Sequence, residues 1–142
     1  MILTIGMCLL FALPMLADQA ADEAAIREAT RQIVETTNTR DIRGHLDLYA
    51  DPYENIEGSV GRAAHQQTHE RLKDLRVKLL DDVGIVFVTP DVAIHKYRSE
   101  ATGSLDDDGN PLPPSKSLIA LIYAKNGDEW LVTARFTRPI EE

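Results

Sequence analysis

The period of the apolar residues changes near Leu75, and that change constrains the fold more than any single motif does. Before it, Ala25, Ile26, Ala29, Ile33 and Val34 recur at three- and four-residue intervals. Glu23, Arg27, Glu28, Arg31 and Glu35 lie between them, which predicts a helix over Asp22 to Thr37 with one buried side. Asp41 is placed to cap a second helix, whose face is Ile42, His45 or Leu46, and Tyr49, and Pro52 ends it. A third helix is expected from near Ser59 to Lys73. Beyond Leu75 the pattern becomes that of strands, at roughly 75 to 88, 91 to 102, 116 to 125 and 128 to 138. Thr89-Pro90-Asp91, the polar loop 103 to 115 and Asn126-Gly127-Asp128 separate them. Three helices followed by a meander define an α+β domain with helices over one face of a sheet.

Strand faces follow from alternation. Ala93, His95, Tyr97, Ser99 and Ala101 share one face and are read as inward, opposite Val92, Ile94, Lys96, Arg98 and Glu100. In the last strand Trp130, Val132, Ala134 and Phe136 share the apolar face, and Arg135 falls on the other. Residues 117 to 124 are apolar on both faces, so the outer face is expected to be covered, most simply by a homodimer through the sheet.

Residues 1 to 16 carry no charge and give way to small and acidic residues at Ala17, Asp18, Ala20 and Ala21. This reads as a secretory signal peptide over 1–20, followed by one domain over 21–142. A periplasmic or secreted location is expected, without stable membrane association once the leader is removed. Cys8 is the single cysteine and lies in the leader, so the mature domain has no thiolate chemistry and no disulfide. The chain has 15 basic and 23 acidic residues, a net charge of −8. That acidity opposes phosphate backbones, so no nucleic-acid partner is expected.

The passage DIRGHLDLYADPYENIEGSVGR, residues 41 to 62, runs from a capped helix through Leu48-Tyr49-Ala50-Asp51 to Gly61-Arg62 at the start of the next helix. Pro90-Asp91-Val92-Ala93 opens one later strand and Gly127-Asp128-Glu129-Trp130-Leu131-Val132 opens the last. In this order, over residues 22 to 138, the chain resembles the SnoaL-like, SgcJ/EcaC type of the nuclear transport factor 2-like superfamily. The resemblance implies a cone: a curved antiparallel sheet wrapped around a cavity and capped by three N-terminal helices. It also implies that Glu57 stands where ketosteroid isomerase-like members carry their carboxylate base. The isomerase's oxyanion tyrosine corresponds to Ile33 and its protonated aspartate to Ala120, so isomerase activity on steroids is not expected. That type has carried oxidoreductase names, but no nicotinamide or flavin site is present and no cofactor is expected.

Two sets of residues could carry chemistry. Glu57 and His69 are the catalytic candidates, since a half-dry carboxylate or imidazole can take a proton near neutral pH. Tyr53, Asn55, His65, His95, Tyr97 and Arg135 are the ligand-binding candidates. Tyr53, Asn55 and Glu57 alternate along one extended segment, and Arg135 can hold a carboxylate bidentately. His65 and His69 lie one helical turn apart, and His95 with Tyr97 could meet them across the cavity. Three imidazoles can ligate zinc, yet His-x-x-x-His without the intervening glutamate is weak, and no metal site is expected. Asp106-Asp107-Asp108-Gly109-Asn110 lacks the alternating ligands of a calcium loop and reads as a solvated hairpin tip.

The expected function is therefore an exported domain binding a small, partly apolar organic molecule. The alternatives are an acid–base enzyme of isomerase, cyclase or dehydratase type using Glu57 or His69, and a structural dimerisation domain.

Overall fold

The computed structural model describes residues 12–141, with side chains from Asp18 onward. Most of the expected leader therefore lies outside the described residues. Three helices, α1 (Ala12–Thr39), α2 (Ile42–Asp47) and α3 (Arg62–Arg71), lie with six strands: β1 (Tyr49–Asn55), β2 (Gly58–Val60), β3 (Arg76–Thr89), β4 (Val92–Thr102), β5 (Ser115–Asn126) and β6 (Glu129–Pro139). Helix α1 extends past the expected start because the alanine-rich residues at 17 to 21 favour helix.

Asp41 caps α2 as expected, its Oδ1 accepting from the Gly44 amide at 2.9 Å. The helix ends at Asp47 rather than at Pro52, and Tyr49 opens β1 instead of completing the helical face. Sheet pairing decides this: the Val132 amide donates to the Leu48 carbonyl at 3.0 Å, and Tyr49 pairs with Val132. Ser59, expected to begin α3, lies in β2 opposite Glu54. Helix α3 begins at Arg62, whose amide donates to Asp51 Oδ1 at 2.9 Å, so a strand residue caps a helix whose own N-cap residue, Gly61, has no side chain to do so.

The strands form one sheet in the order β2-β1-β6-β5-β4-β3. All neighbours are antiparallel except β1 and β6, which run parallel. Register shifts interrupt β3 after Leu79, Asp82 and Phe87, and each such bulge bends and twists the strand. Helix α1 lies against the inner face, where Ile26, Ile33, Tyr49, Tyr97, Ile119, Leu121, Tyr123 and Val132 form the core. Ala93, His95, Tyr97 and Ser99 point inward as alternation predicts.

Strand β6 departs from plain alternation. Tyr123 pairs with Val132 but Ile122 pairs with Ala134, leaving Thr133 in a bulge, its hydroxyl donating to the Ile122 carbonyl at 3.2 Å. One extra residue reverses every later face. Arg135 consequently pairs with Leu121, a core residue, and turns inward, whereas Phe136 pairs with Ala120 and is 40% exposed.

Candidate functional site

Inside the cone, imidazoles and phenols from three elements meet. His45 comes from α2, His65 and His69 from successive turns of α3, and Tyr49 and Tyr53 from β1. The His45 ring centroid lies 3.9 Å from that of His69 and 5.2 Å from that of His65. Tyr49 stacks on His45 at 5.1 Å and meets His65 edge-on at 4.6 Å, while Tyr53 lies 4.8 Å from His65. One ring nitrogen from each of the three histidines falls within 4.8 Å of the other two.

The tautomer of His45 follows from its neighbours. The Thr36 hydroxyl is 2.7 Å from the Gln32 carbonyl and the Thr37 hydroxyl 2.8 Å from the Ile33 carbonyl, so both donate into the α1 backbone. With both hydroxyls donating to backbone carbonyls, His45 Nδ1, 3.2 Å from each hydroxyl oxygen, is assigned as their donor. Neutral His45 therefore carries a lone pair on Nε2, which is buried without a hydrogen-bond partner. Burial, then the neighbouring imidazoles, hold its pKa down to about 2. Burial first and His69 second bring His65 to about 4, and burial with Arg40 brings His69 to about 4. All three are neutral at pH 7.

Beside this cluster is a cavity of about 40 Å³, lined by His69, Tyr97, Arg135 and Thr37 among apolar groups such as Ile33 and Ile119. That is room for an ion or a few waters, far below the several hundred cubic ångströms of a pocket for a drug-sized ligand. Arg135 is partly buried there. Among the described residues no carboxylate lies within ion-pair distance of it, although other arginines, such as Arg27, Arg31, Arg62 and Arg98, are paired with carboxylates. The Tyr49 hydroxyl is buried beside Arg135 without a hydrogen bond of full geometry, and burial lowers the guanidinium pKa while Tyr49 and Tyr97 raise it, for a net rise. Burial pushes the Tyr97 phenol up to about 12, so it stays a hydrogen-bond donor.

His95 is inward but belongs to a different assembly, not to the histidine cluster it was expected to join. Its Nδ1 lies 2.7 Å from Thr30 Oγ1, which is 2.9 Å from the Tyr123 hydroxyl. Its Nε2 lies 3.1 Å from Asp82 Oδ1, and Asp82 also accepts from Arg27 Nε at 2.8 Å. With Asp82 ionised, Nε2 carries the proton and Nδ1 accepts from Thr30. This chain fastens α1 to β3, β4 and β5, and it borders a surface groove of about 230 Å³ that includes Arg27 and Leu80. A groove of about 400 Å³ lies beside Asp18, Asp22 and Phe87.

Glu57 is exposed in the turn after β1, where its amide donates to Asn55 Oδ1 at 2.8 Å. Tyr53, Asn55 and Glu57, expected to alternate along one extended segment, do not share a direction: Tyr53 is buried, but the strand ends at Asn55, whose side chain closes an Asx turn with the Glu57 amide. A catalytic carboxylate needs the desolvation that this position lacks, so Glu57 is not part of the site. His45 was not among the expected site residues. Its signal was present in the Asp41 cap, which sets the phase of α2 and turns residue 45 toward the neighbouring helices.

Neither the known protein-family models nor the curated proteins contain a match to the sequence. Solved structures do match in shape. The chain is similar to the hexachlorocyclohexane dehydrochlorinase LinA-type3 from Novosphingobium barchaimii, with a TM-score of 0.72, 16% identity, and coverage of 88% of this chain and 90% of that one. It is similar to an uncharacterised protein with a cystatin-like fold from Caulobacter vibrioides, with a TM-score of 0.71, 14% identity, and coverage of 83% and 89%. A protein of unknown function from Nostoc punctiforme, also of cystatin-like fold, matches with a TM-score of 0.66, 14% identity, and coverage of 87% and 94%. The chain has the cystatin-like architecture of nuclear transport factor 2-like domains.

Proposed function

We propose that this protein, exported by its N-terminal run, binds a small anionic organic molecule through its carboxylate at the inner wall of the cone. The observation that carries this reading is Arg135, a guanidinium turned inward by the Thr133 bulge without a carboxylate partner. Withdrawing an unpaired cation from water costs several kcal/mol, a cost that an incoming carboxylate offsets through paired, charge-assisted hydrogen bonds. Tyr97 lines the same cavity and adds a neutral donor.

The cavity volume narrows the ligand. About 40 Å³ accepts a carboxylate group but not the apolar body of a larger molecule, which would have to extend past α3. The test is calorimetric titration of acetate, pyruvate and benzoate into the wild type and Arg135→Met. Saturable binding is expected in the wild type, weakened at least about tenfold in the variant, as the loss of a charge-assisted pair implies. Equal affinity in the two proteins contradicts the reading.

An acid–base reading keeps one supporting observation: neutral His69 and protonated Tyr97 line the same cavity as Arg135. The dehydrochlorinase similarity is consistent with such chemistry on this scaffold, although function follows the site rather than the fold. Turnover of any carboxylate substrate that survives His69→Ala counts against it.

A further inference from the structure

We propose that His45, His65 and His69 form a three-histidine site for a divalent transition-metal ion of the zinc class, with a coordination position left open for water or an anion. The inference rests on the histidines alone and does not require the carboxylate reading of Arg135. Four observations support it.

The first is convergence: one nitrogen from each ring lies within 4.8 Å of the others, and no carboxylate or thiolate belongs to the group. Tetrahedral zinc with nitrogen ligands at about 2.0–2.1 Å needs those atoms about 3.3 Å apart, so ring rotations closing at most about 1.5 Å complete the site.

The second is orientation. His45 is 1% exposed, and its Nε2 is an unpartnered lone pair in the interior. A histidine that merely filled the core would be expected to satisfy both ring nitrogens. Here Thr36 and Thr37 hold Nδ1–H, which fixes the tautomer that a metal requires and orients the ring, the role that outer hydrogen bonds play around metal-bound imidazoles.

The third is that His65 and His69, spaced by four on α3, supply two imidazoles from adjacent turns of one rigid element. Among the described residues no hydrogen bond reaches their ring nitrogens, which leaves them free to ligate. A neutral all-imidazole set suits zinc, copper, nickel or iron rather than calcium or magnesium.

The fourth is charge. Imidazole ligates through its neutral form and no carboxylate belongs to the group, so three such ligands leave the charge of a divalent ion uncompensated. Hydroxide or a carboxylate is the ligand that balances it, which makes an open fourth position a reasonable outcome rather than a closed structural site.

The test uses the full chain, treated with chelator, dialysed and titrated with zinc by calorimetry, and separately with cobalt by visible absorbance. Because His45 is wholly enclosed and its removal threatens the fold, the variants are His65→Gln and His69→Gln, checked for folding by circular dichroism. Expected are one zinc per chain, d–d bands of low-coordinate cobalt, a zinc-dependent rise in Tm, and affinity at least about 100-fold weaker in either variant. Absence of saturable binding at one ion per chain overturns the proposal, as does full-strength binding in both folded variants, which would place the ion elsewhere. Because no carboxylate is added, failure here is distinct from failure of the Arg135 titration.

Discussion

Arg135 and His95 show how one residue's surroundings set its role. Arg135 owes its inward direction to a single unpaired residue, Thr133, and period-two counting alone puts it on the wrong face. Nothing in Trp130-Leu131-Val132-Thr133-Ala134 announces a bulge, because each residue is an ordinary strand former. His95, by contrast, lies where alternation puts it, and only its partners were not legible: Thr30 is 65 positions and Asp82 13 positions away in sequence. Burial lowers the His95 pKa, and the Asp82 carboxylate opposes that effect without reversing it. The folded state therefore takes up a proton less readily than the unfolded chain, whose histidines titrate near the ordinary 6.5. Stability is complete above that value and is lost as the pH falls below it toward the depressed folded-state value. Urea unfolding from about pH 7.5 to about pH 5.5 is expected to show a shallower loss in His95→Gln than in the wild type. An unchanged slope would remove His95 as a source of acid sensitivity.

At the scale of elements, the long strands were the most legible. Their apolar period and the turn residues between them place β3 to β6 within a residue or two of the structure. The short pieces from 48 to 62 were not, because long-range pairing with β6 and the Asp51 cap decide them, and neither leaves a local periodic signal. Gly103 is another such tertiary constraint. Its φ of +74° already excludes most side chains, and an added Cβ would run into the Asp74 carbonyl. Gly109, at φ +86°, has open space around it. Gly103→Ala is thus expected to cost at least about 2 kcal/mol, against about 1 kcal/mol for Gly109→Ala, where only the backbone conformation is strained. Denaturation of the two variants in parallel checks this; equal costs would mean that the Asp74 segment yields freely.

For the whole molecule, the cone and its helical cap were legible from the change of period and the order of motifs, whereas the filling of its interior was not. Rings of Tyr49, Tyr53, His45 and His65 occupy space that the sequence reading left for an organic ligand. The outer face of β5, with Leu118, Ala120 and Ile122, together with exposed Val86 and Val88 on β3, supports the proposal of a homodimer through the sheet. Light scattering is expected to give twice the chain mass, and a monomer at all concentrations contradicts it. Among the described residues no helix is long and apolar enough to cross a membrane. Cleavage between Ala17 and Ala21 would shorten α1 while sparing Asp22, which accepts from Lys125 Nζ at 2.9 Å and Trp130 Nε1 at 3.0 Å, and intact mass of exported protein locates the cut.

The most direct measurement of ligand binding inside the cone is a crystal structure of the protein grown with benzoate. A carboxylate paired with the Arg135 guanidinium and within reach of Tyr97, with α3 displaced to admit the ring, is the expected result. Benzoate confined to the surface groove beside Arg27 and Asp82, with the inner cavity unchanged and Arg135 still unpaired, would contradict it.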